Sequence, residues 1–200
     1  MKIKLPPKSD GIITTFYLIT GLKGSQHNEL DFEFLGNHTL QTNVYVHDIG
    51  GREQRVRLWF DATADFHSYK ILWNPSTIMF FVDDTPIRVF KNRKQEGIPF
   101  PDQFPMHIEA TIWTADWAGG LVNWKNGTFK AQYKGFEING CPSNSGFEGC
   151  RSPSLPWNQV HELNDMQIEA YTEARKNFMI YDYCSDASRK PANPKECENI

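Results

Sequence analysis

Residues 29 to 33 read Glu-Leu-Asp-Phe-Glu, three acids spaced two apart inside an otherwise apolar run. Side chains along a strand point alternately to opposite faces. A strand here therefore lines one face with Glu29, Asp31 and Glu33 and buries Leu30, Phe32 and Phe34 on the other. Half-exposed antiparallel strands alternate as a rule, so a solvated sheet face is the plain reading of such a pattern. Like charges in a row, however, repel and raise one another's pKa, and a fold gains no stability from them.

The rest of the chain follows the same short-strand grammar. Thr14 to Thr20 reads as a buried strand leading into a loop over 21–28, and the acidic strand runs from Glu29 to Leu35. Further strands are expected at 42–46, 55–60, 68–73, 77–82, 86–90, 106–113 and 128–138, with Asp83-Asp84 as a hairpin turn. Many short strands with regular turns indicate a sandwich or jelly roll, and aromatics at 14 % with 12 Pro and 14 Gly suit that class better than a helical bundle. From Asn164-Asp165 the spacing turns helical, with Ile168, Tyr171, Ala174 and Phe178 on one stripe. One helix is thus expected, packed on the sheets and followed by a cysteine-bearing end. At 200 residues the chain suits one domain with a full core.

Function classes narrow by elimination. A net charge of −3 leaves no basic footprint for nucleic acid, and no apolar run approaches the ~18 residues that cross a bilayer. There is no HExxH, GxSxG, phosphate loop or dinucleotide fingerprint. The acidic triplet offers a cation ligands from one side only, so no metal and no cofactor is expected. Paired carboxylates held at different pKa values suit glycosidic bond cleavage, where one attacks or stabilises and the other donates a proton. Trp113 and Trp117, beside Gly119-Gly120, have the loop-like setting in which aromatics stack on sugar rings. The four cysteines, Cys141, Cys150, Cys184 and Cys197, have no zinc-ligand spacing and point to two disulfides. The sequons Asn37-His38-Thr39 and Asn126-Gly127-Thr128 agree with a secretory route, whereas the opening Met-Lys-Ile-Lys-Leu-Pro-Pro-Lys has no signal-peptide core.

The segment HNELDFEFLGN (27–37) closely resembles the active-site strand of the xyloglucan endotransglucosylase/hydrolases of glycoside hydrolase family 16. So do QTNVY (41–45), GGREQ (50–54), LWFD (58–61), FHSY (66–69), LWNP (72–75), VDDTPIRVF (82–90), GIPFP (97–101), ADWA (115–118) and YCSD (183–186). The resemblance implies an all-β, concanavalin-like jelly roll over 1–138 and a C-terminal extension over 139–200 with one helix and two disulfides. It implies Glu29 as nucleophile, Glu33 as general acid/base and Asp31 as helper between them. Gln41, Thr42, Asn43, Gly51, Arg52, Glu53, Trp117, Ala118, Gly120 and Arg189 match positions that contact the glucan, together with Glu33. Asn37 matches a glycosylated position, and the family pairing joins Cys141 to Cys150 and Cys184 to Cys197.

The implied activity is cleavage and religation of xyloglucan in the plant cell wall by a retaining mechanism. A polysaccharide is the donor and an oligosaccharide the acceptor, and the protein is expected to be secreted to the apoplast, monomeric in its full-length form, with no membrane or nucleic-acid partner. Two alternatives are a glucan-binding jelly roll without turnover and an endo-β-glucanase of the wider family. The chain departs from the family pattern in three places. The family has a signal peptide and several strands before the position of Met1, so the chain resembles a member that lacks its start, and unpaired sheet edges are expected. Asn28 stands where the family has Asp. The loops over 37–41 and 118–124 are shortened.

Overall fold

The computed structural model describes residues 1–21, 26–141, 147–189 and 194–197. Part of the loop expected over 21–28 lies outside the described residues. Strands β1 (Lys2–Lys4), β6 (His67–Trp73), β7 (Thr77–Val82), β8 (Thr85–Lys91) and β11 (Gln132–Lys134) form a five-stranded sheet in the order β11-β1-β6-β7-β8. The second sheet orders β10 (Ile112–Thr114), β2 (Ile12–Ile19), β3 (Asn28–Leu35), β4 (Thr39–Val46), β5 (Gln54–Arg57) and β12 (Met179–Asp182), with β9 (His107–Glu109) also on β2. The pairings are antiparallel. Two short strands on one partner stand where the sequence predicts a single strand over 106–113. Between them the exposed Thr111 still bonds β2, its carbonyl accepting the Thr15 backbone N–H at 2.9 Å.

The acidic strand owes its position to its other face. Leu30, Phe32 and Phe34 are fully buried. The Phe32 ring meets Tyr69 and Phe80 of the opposite sheet edge-on at 5.7 and 5.2 Å, and Phe34 meets Tyr69 at 4.7 Å. Such aromatic contacts add to simple area burial. Each of these core residues sits one position from an acid, so packing the rings fixes the direction of the carboxylates.

Arg88 is the exception in this apolar interior. It is 1 % exposed, and its Nη1 donates to the Thr42 carbonyl at 2.9 Å and hydroxyl at 3.1 Å. The guanidinium also lies over the rings of Phe80 and Tyr183, at 5.8 and 5.7 Å from their centroids. A buried cation is tolerated when hydrogen bonds and aromatic faces replace its water.

Among the described residues the C-terminal region holds two α-helices where the sequence predicts one: a single turn α1 (Phe147–Cys150) and the longer α2 (Asp165–Phe178). Asn164 is the N-cap of α2. Its side chain accepts the Gln167 N–H at 2.9 Å, and Gln167 returns the bond to the Asn164 N–H at 3.1 Å. Ala174 is buried on the expected stripe, whereas Ile168 is 50 % exposed. The helix ends at Phe178, and Met179–Asp182 pairs with β5 as the edge strand β12. The strand expected over 55–60 stops at Arg57, and of 128–138 only Gln132–Lys134 pairs. The disulfides join Cys141 to Cys150 and Cys184 to Cys197, each with Cα atoms 5.4 Å apart.

Phe32→Ala is expected to cost about 3–5 kcal/mol of folding free energy, read from the urea midpoint. A cost below about 1 kcal/mol would show that the ring does not tie the two sheets together.

Candidate active site

The one-to-one register of β3 with its neighbours builds the cleft. Glu29, Asp31 and Glu33 face Tyr45, Asn43 and Gln41 on β4, and on the other side Ile19, Tyr17 and Thr15 on β2. Opposite residues share a face. The concave pocket over this patch is lined by Thr15, Tyr17, Glu29, Asp31, Glu33, Tyr45, Thr111 and Trp113. Gly50 gives Tyr45 its place, since a Cβ there would come within 2.3 Å of the ring.

The three acids differ electrostatically. Asp31 is 4 % exposed. Burial holds its carboxyl well above the usual carboxylate range, reinforced by the charges of Glu29 and Glu33 and a hydrogen bond with Glu29, while Arg88 pulls the other way. Asp31 therefore keeps its proton to higher pH than an ordinary carboxyl and, while protonated, can donate to Glu29. Glu33 is also raised, first by burial and then by the charges of Glu29 and Glu53. Gln41 opposes this, because its Nε2 donates to Glu33 Oε2 at 2.5 Å and favours the ionised form. Gln41 is itself oriented by Arg55, whose Nε donates to Gln41 Oε1 at 2.7 Å. Burial and the nearby carboxylates push the Tyr45 phenol to about 12. Burial and a 2.7 Å bond to Glu109 do the same for Tyr17. Both phenols stay neutral donors at the cleft wall.

The other glucan-contact positions fall into two groups. Gln41 and Asn43 share the acidic face, with Asn43 Nδ2 donating to Glu53 at 3.3 Å. Trp117 is 54 % and Trp113 41 % exposed, and their rings meet edge-on at 6.0 Å. Arg189 reaches the rim from the tail: its guanidinium lies over Tyr183 at 5.2 Å and would come within 2.7 Å of a Cβ on Gly51, whose φ is +76°.

Thr42, Arg52 and Ala118 point elsewhere. Thr42 pairs with Phe32 and so faces the core, where it binds Arg88. Arg52 is 6 % exposed and clamps the tail, donating to Glu196 at 2.7 Å and to the Ile49 carbonyl at 2.7 Å. Ala118 packs against Ile13 and Leu35 beneath the Trp117 loop, and Gly120 continues that loop with φ +109°. Asn37 lies in the turn after β3 and is partly exposed.

Two features of the site carry no signal in the sequence pattern. Tyr17 and Tyr45 become cleft residues only through the register. His27 lies just before β3 and contacts both Glu29, with Nε2 at 3.2 Å from Oε2, and Asp48, with Nδ1 at 2.7 Å from Oδ1. Asp48 and His47 form a tight turn after β4 with φ of 68° and 54°. The left-handed region costs a residue with a Cβ roughly 1–2 kcal/mol. The turn is held by Asn28, whose Oδ1 accepts the His47 N–H at 3.0 Å, and by the Asp48 N–H donating to the His27 carbonyl at 2.9 Å.

Comparison with known proteins agrees with this geometry. The family model "Glycosyl hydrolases family 16" matches residues 1–135, and "Xyloglucan endo-transglycosylase (XET) C-terminus" matches 151–197. Probable xyloglucan endotransglucosylase/hydrolase protein 5 of Arabidopsis thaliana is 46 % identical over 94 % of this chain and 68 % of its own length. A xyloglucan endotransglucosylase/hydrolase of Brassica oleracea var. botrytis is 44 % identical over 98 % of this chain and 71 % of its own. Among solved structures, a Bacillus licheniformis beta-glucanase superposes with a TM-score of 0.53 at 28 % identity, covering 65 % of this chain and 59 % of that one. A native glycosidic hydrolase gives a TM-score of 0.51 at 28 % identity, covering 65 % of this chain and 57 % of its own. The chain thus spans less than two thirds of these solved structures, whose jelly roll it shares. With a family model covering more than half of its length and relatives near 45 % identical over most of theirs, the chain belongs to glycosyl hydrolases family 16, among the xyloglucan endotransglucosylase/hydrolases.

Proposed function

We propose that the chain cleaves the β-1,4-glucan backbone of xyloglucan and passes the glycosyl group to a saccharide acceptor or to water, with retention of configuration. The observation that carries this reading is the acidic face of β3, where Asp31 and Glu33 are raised above ordinary carboxylates beside Glu29. Glu29 attacks the anomeric carbon as the glycosidic C–O bond breaks. The electron pair leaves with the departing oxygen, which takes the proton of Glu33. In the second step an acceptor hydroxyl gives its proton to Glu33 as its oxygen attacks the same carbon, and the bond to Glu29 breaks. Burial and the charges of Glu29 and Glu53 favour the protonated Glu33, and Asp31 serves Glu29 as a hydrogen-bond donor.

Gln41, Asn43, Tyr45 and Glu53 offer the glucan polar contacts along one wall, and Trp113 with Trp117 offers an exposed aromatic surface. The residues over 1–138 act as the catalytic unit and those over 139–200 as an extension that brings Arg189 to the rim. Names of the relatives support the substrate class, and the wall outside the cell is the place of action. The disulfides and the sequon at Asn37 are consistent with that location. Among the described residues no helix is long and apolar enough to cross a membrane.

The test is incubation with xyloglucan and a labelled xyloglucan oligosaccharide. Incorporation of label is expected, and Glu29→Ala should abolish it while the unfolding midpoint stays within about 1 kcal/mol of the parent. Retention of the oligosaccharide without turnover would favour a glucan-binding module. Cleavage of unbranched β-glucan alone would favour an endo-β-glucanase.

The hydrogen bond from Gln41 predicts a pH effect. Gln41→Leu removes a donor that favours the ionised Glu33. The basic limb of kcat/KM, where Glu33 loses its proton, should therefore move to higher pH. An unmoved or lowered limb would remove Glu33 from the acid role.

Stability should carry the mark of Asp31. Its pKa is raised on folding, so the folded chain holds that proton longer. Stability is full below the unfolded pKa near ~4 and declines as pH rises through the folded value. Asp31→Asn does not titrate, so its melting temperature should gain on the parent steadily above about pH 4. A constant difference between the two would contradict a neutral Asp31.

A further inference from the structure

We propose that His27 is a positioning residue for Glu29 and that the left-handed turn at His47-Asp48 exists to set it. This rests on the reading of Glu29 as nucleophile and adds the device that holds its carboxylate. The His27 ring bridges two acids, with Nδ1 at 2.7 Å from Asp48 Oδ1 and Nε2 at 3.2 Å from Glu29 Oε2. Ionised carboxylates only accept hydrogen bonds. A ring nitrogen that bonds an ionised carboxylate therefore does so through its N–H, and His27 places one nitrogen on each acid. The His27 side chain is 16 % exposed and that of Glu29 21 %, while Asp48 stands at the solvent edge. The Tyr45 ring closes the remaining side, 5.9 Å from the imidazole.

The backbone supplies an independent observation. A two-residue turn with positive φ at both positions ordinarily takes Asn-Gly or Gly-Gly. Here His47 and Asp48 occupy it. Strain of this kind persists where the surroundings over-determine it, and two bonds do so: Asn28 Oδ1 to the His47 N–H, and the Asp48 N–H to the His27 carbonyl. The second ties Asp48 to the very residue whose ring its side chain binds. A glycine at 48 would relax the turn but leave His27 Nδ1 without its acceptor.

The chemistry follows from the charge on Glu29. That charge is consumed when its oxygen bonds the anomeric carbon and returns when this bond breaks. An N–H on Oε2 fixes the rotation of the carboxylate for attack and stabilises the carboxylate that departs in the second step. Asp48 holds the ring in place while Glu29 is esterified and its own bond to His27 is weak.

Asp48→Gly separates this role from a structural one. The unfolding midpoint should stay level or rise, since glycine suits positive φ. The kcat/KM for xyloglucan should fall about 10-fold, and that of His27→Leu about 100-fold, the span of charge-assisted hydrogen bonds. Asp48→Asn retains an acceptor oxygen and should recover most of the loss. Parent-like kcat/KM in both Asp48→Gly and His27→Leu overturns the proposal.

Histidine 15N spectra provide a readout independent of turnover. Both ring nitrogens of His27 should be protonated in the parent chain, and a ring with one bare nitrogen overturns the proposal. Azide added to Glu29→Ala with an aryl-activated glucan oligosaccharide tests the underlying reading. Rescue alongside parent-like Asp48→Gly kinetics removes His27 alone, whereas failure of rescue strikes the nucleophile assignment itself.

Discussion

A proton shared along β3 sets the electrostatics of the cleft. Three carboxyl groups on one face of a strand cannot all be ionised without strong repulsion, and the fold resolves this by burying the middle one. Asp31, 4 % exposed between Glu29 and Glu33, is held neutral by that burial and by its neighbours' charges. Its carboxyl stands between the outer two and, while protonated, can donate to Glu29. Arg88, behind the sheet, is the counterweight. It favours ionisation of Asp31 without touching the cleft, and Thr42 holds it in place through both its hydroxyl and its carbonyl. Core and chemistry are thus joined through the thickness of one sheet.

The acidic face was legible from the sequence because strand periodicity is a local property. Glu29, Asp31 and Glu33 alternate with Leu30, Phe32 and Phe34 at a spacing that only a strand turns into two clean faces. The capping of α2 was equally legible, since Asn164 and Gln167 act across a single turn. Features that depend on a partner strand were not. Tyr17 and Tyr45 enter the cleft through their register with Asp31 and Glu29. Met179–Asp182 reads as a continuation of α2, and only β5 makes it a strand.

The same limit explains the glucan-contact positions that turned inward. Gln41, Thr42 and Asn43 are consecutive, and a strand cannot present three consecutive side chains to one face. Gln41 and Asn43 therefore reach the cleft while Thr42 serves Arg88. Arg52 carries a motif resemblance to a rim residue, yet Glu196 captures its guanidinium from 144 positions away. No local pattern encodes that ion pair.

The capture has a consequence for how such a cleft can change. Of the described tail residues, three touch this end of the sheet: Tyr183 N–H on the Glu53 carbonyl, Arg189 against Gly51, and Glu196 on Arg52. The acidic strand is walled in by the core and tolerates little variation, because any shift of Phe32 moves the acids. The tail is tied by other means, the Cys184–Cys197 disulfide and the Arg52–Glu196 ion pair, neither of which runs through Phe32. Insertions or substitutions there can reshape the far end of the groove while the proton-sharing face stays fixed. The fold in this way separates an acidic face fixed by the core from a far wall supplied by the tail.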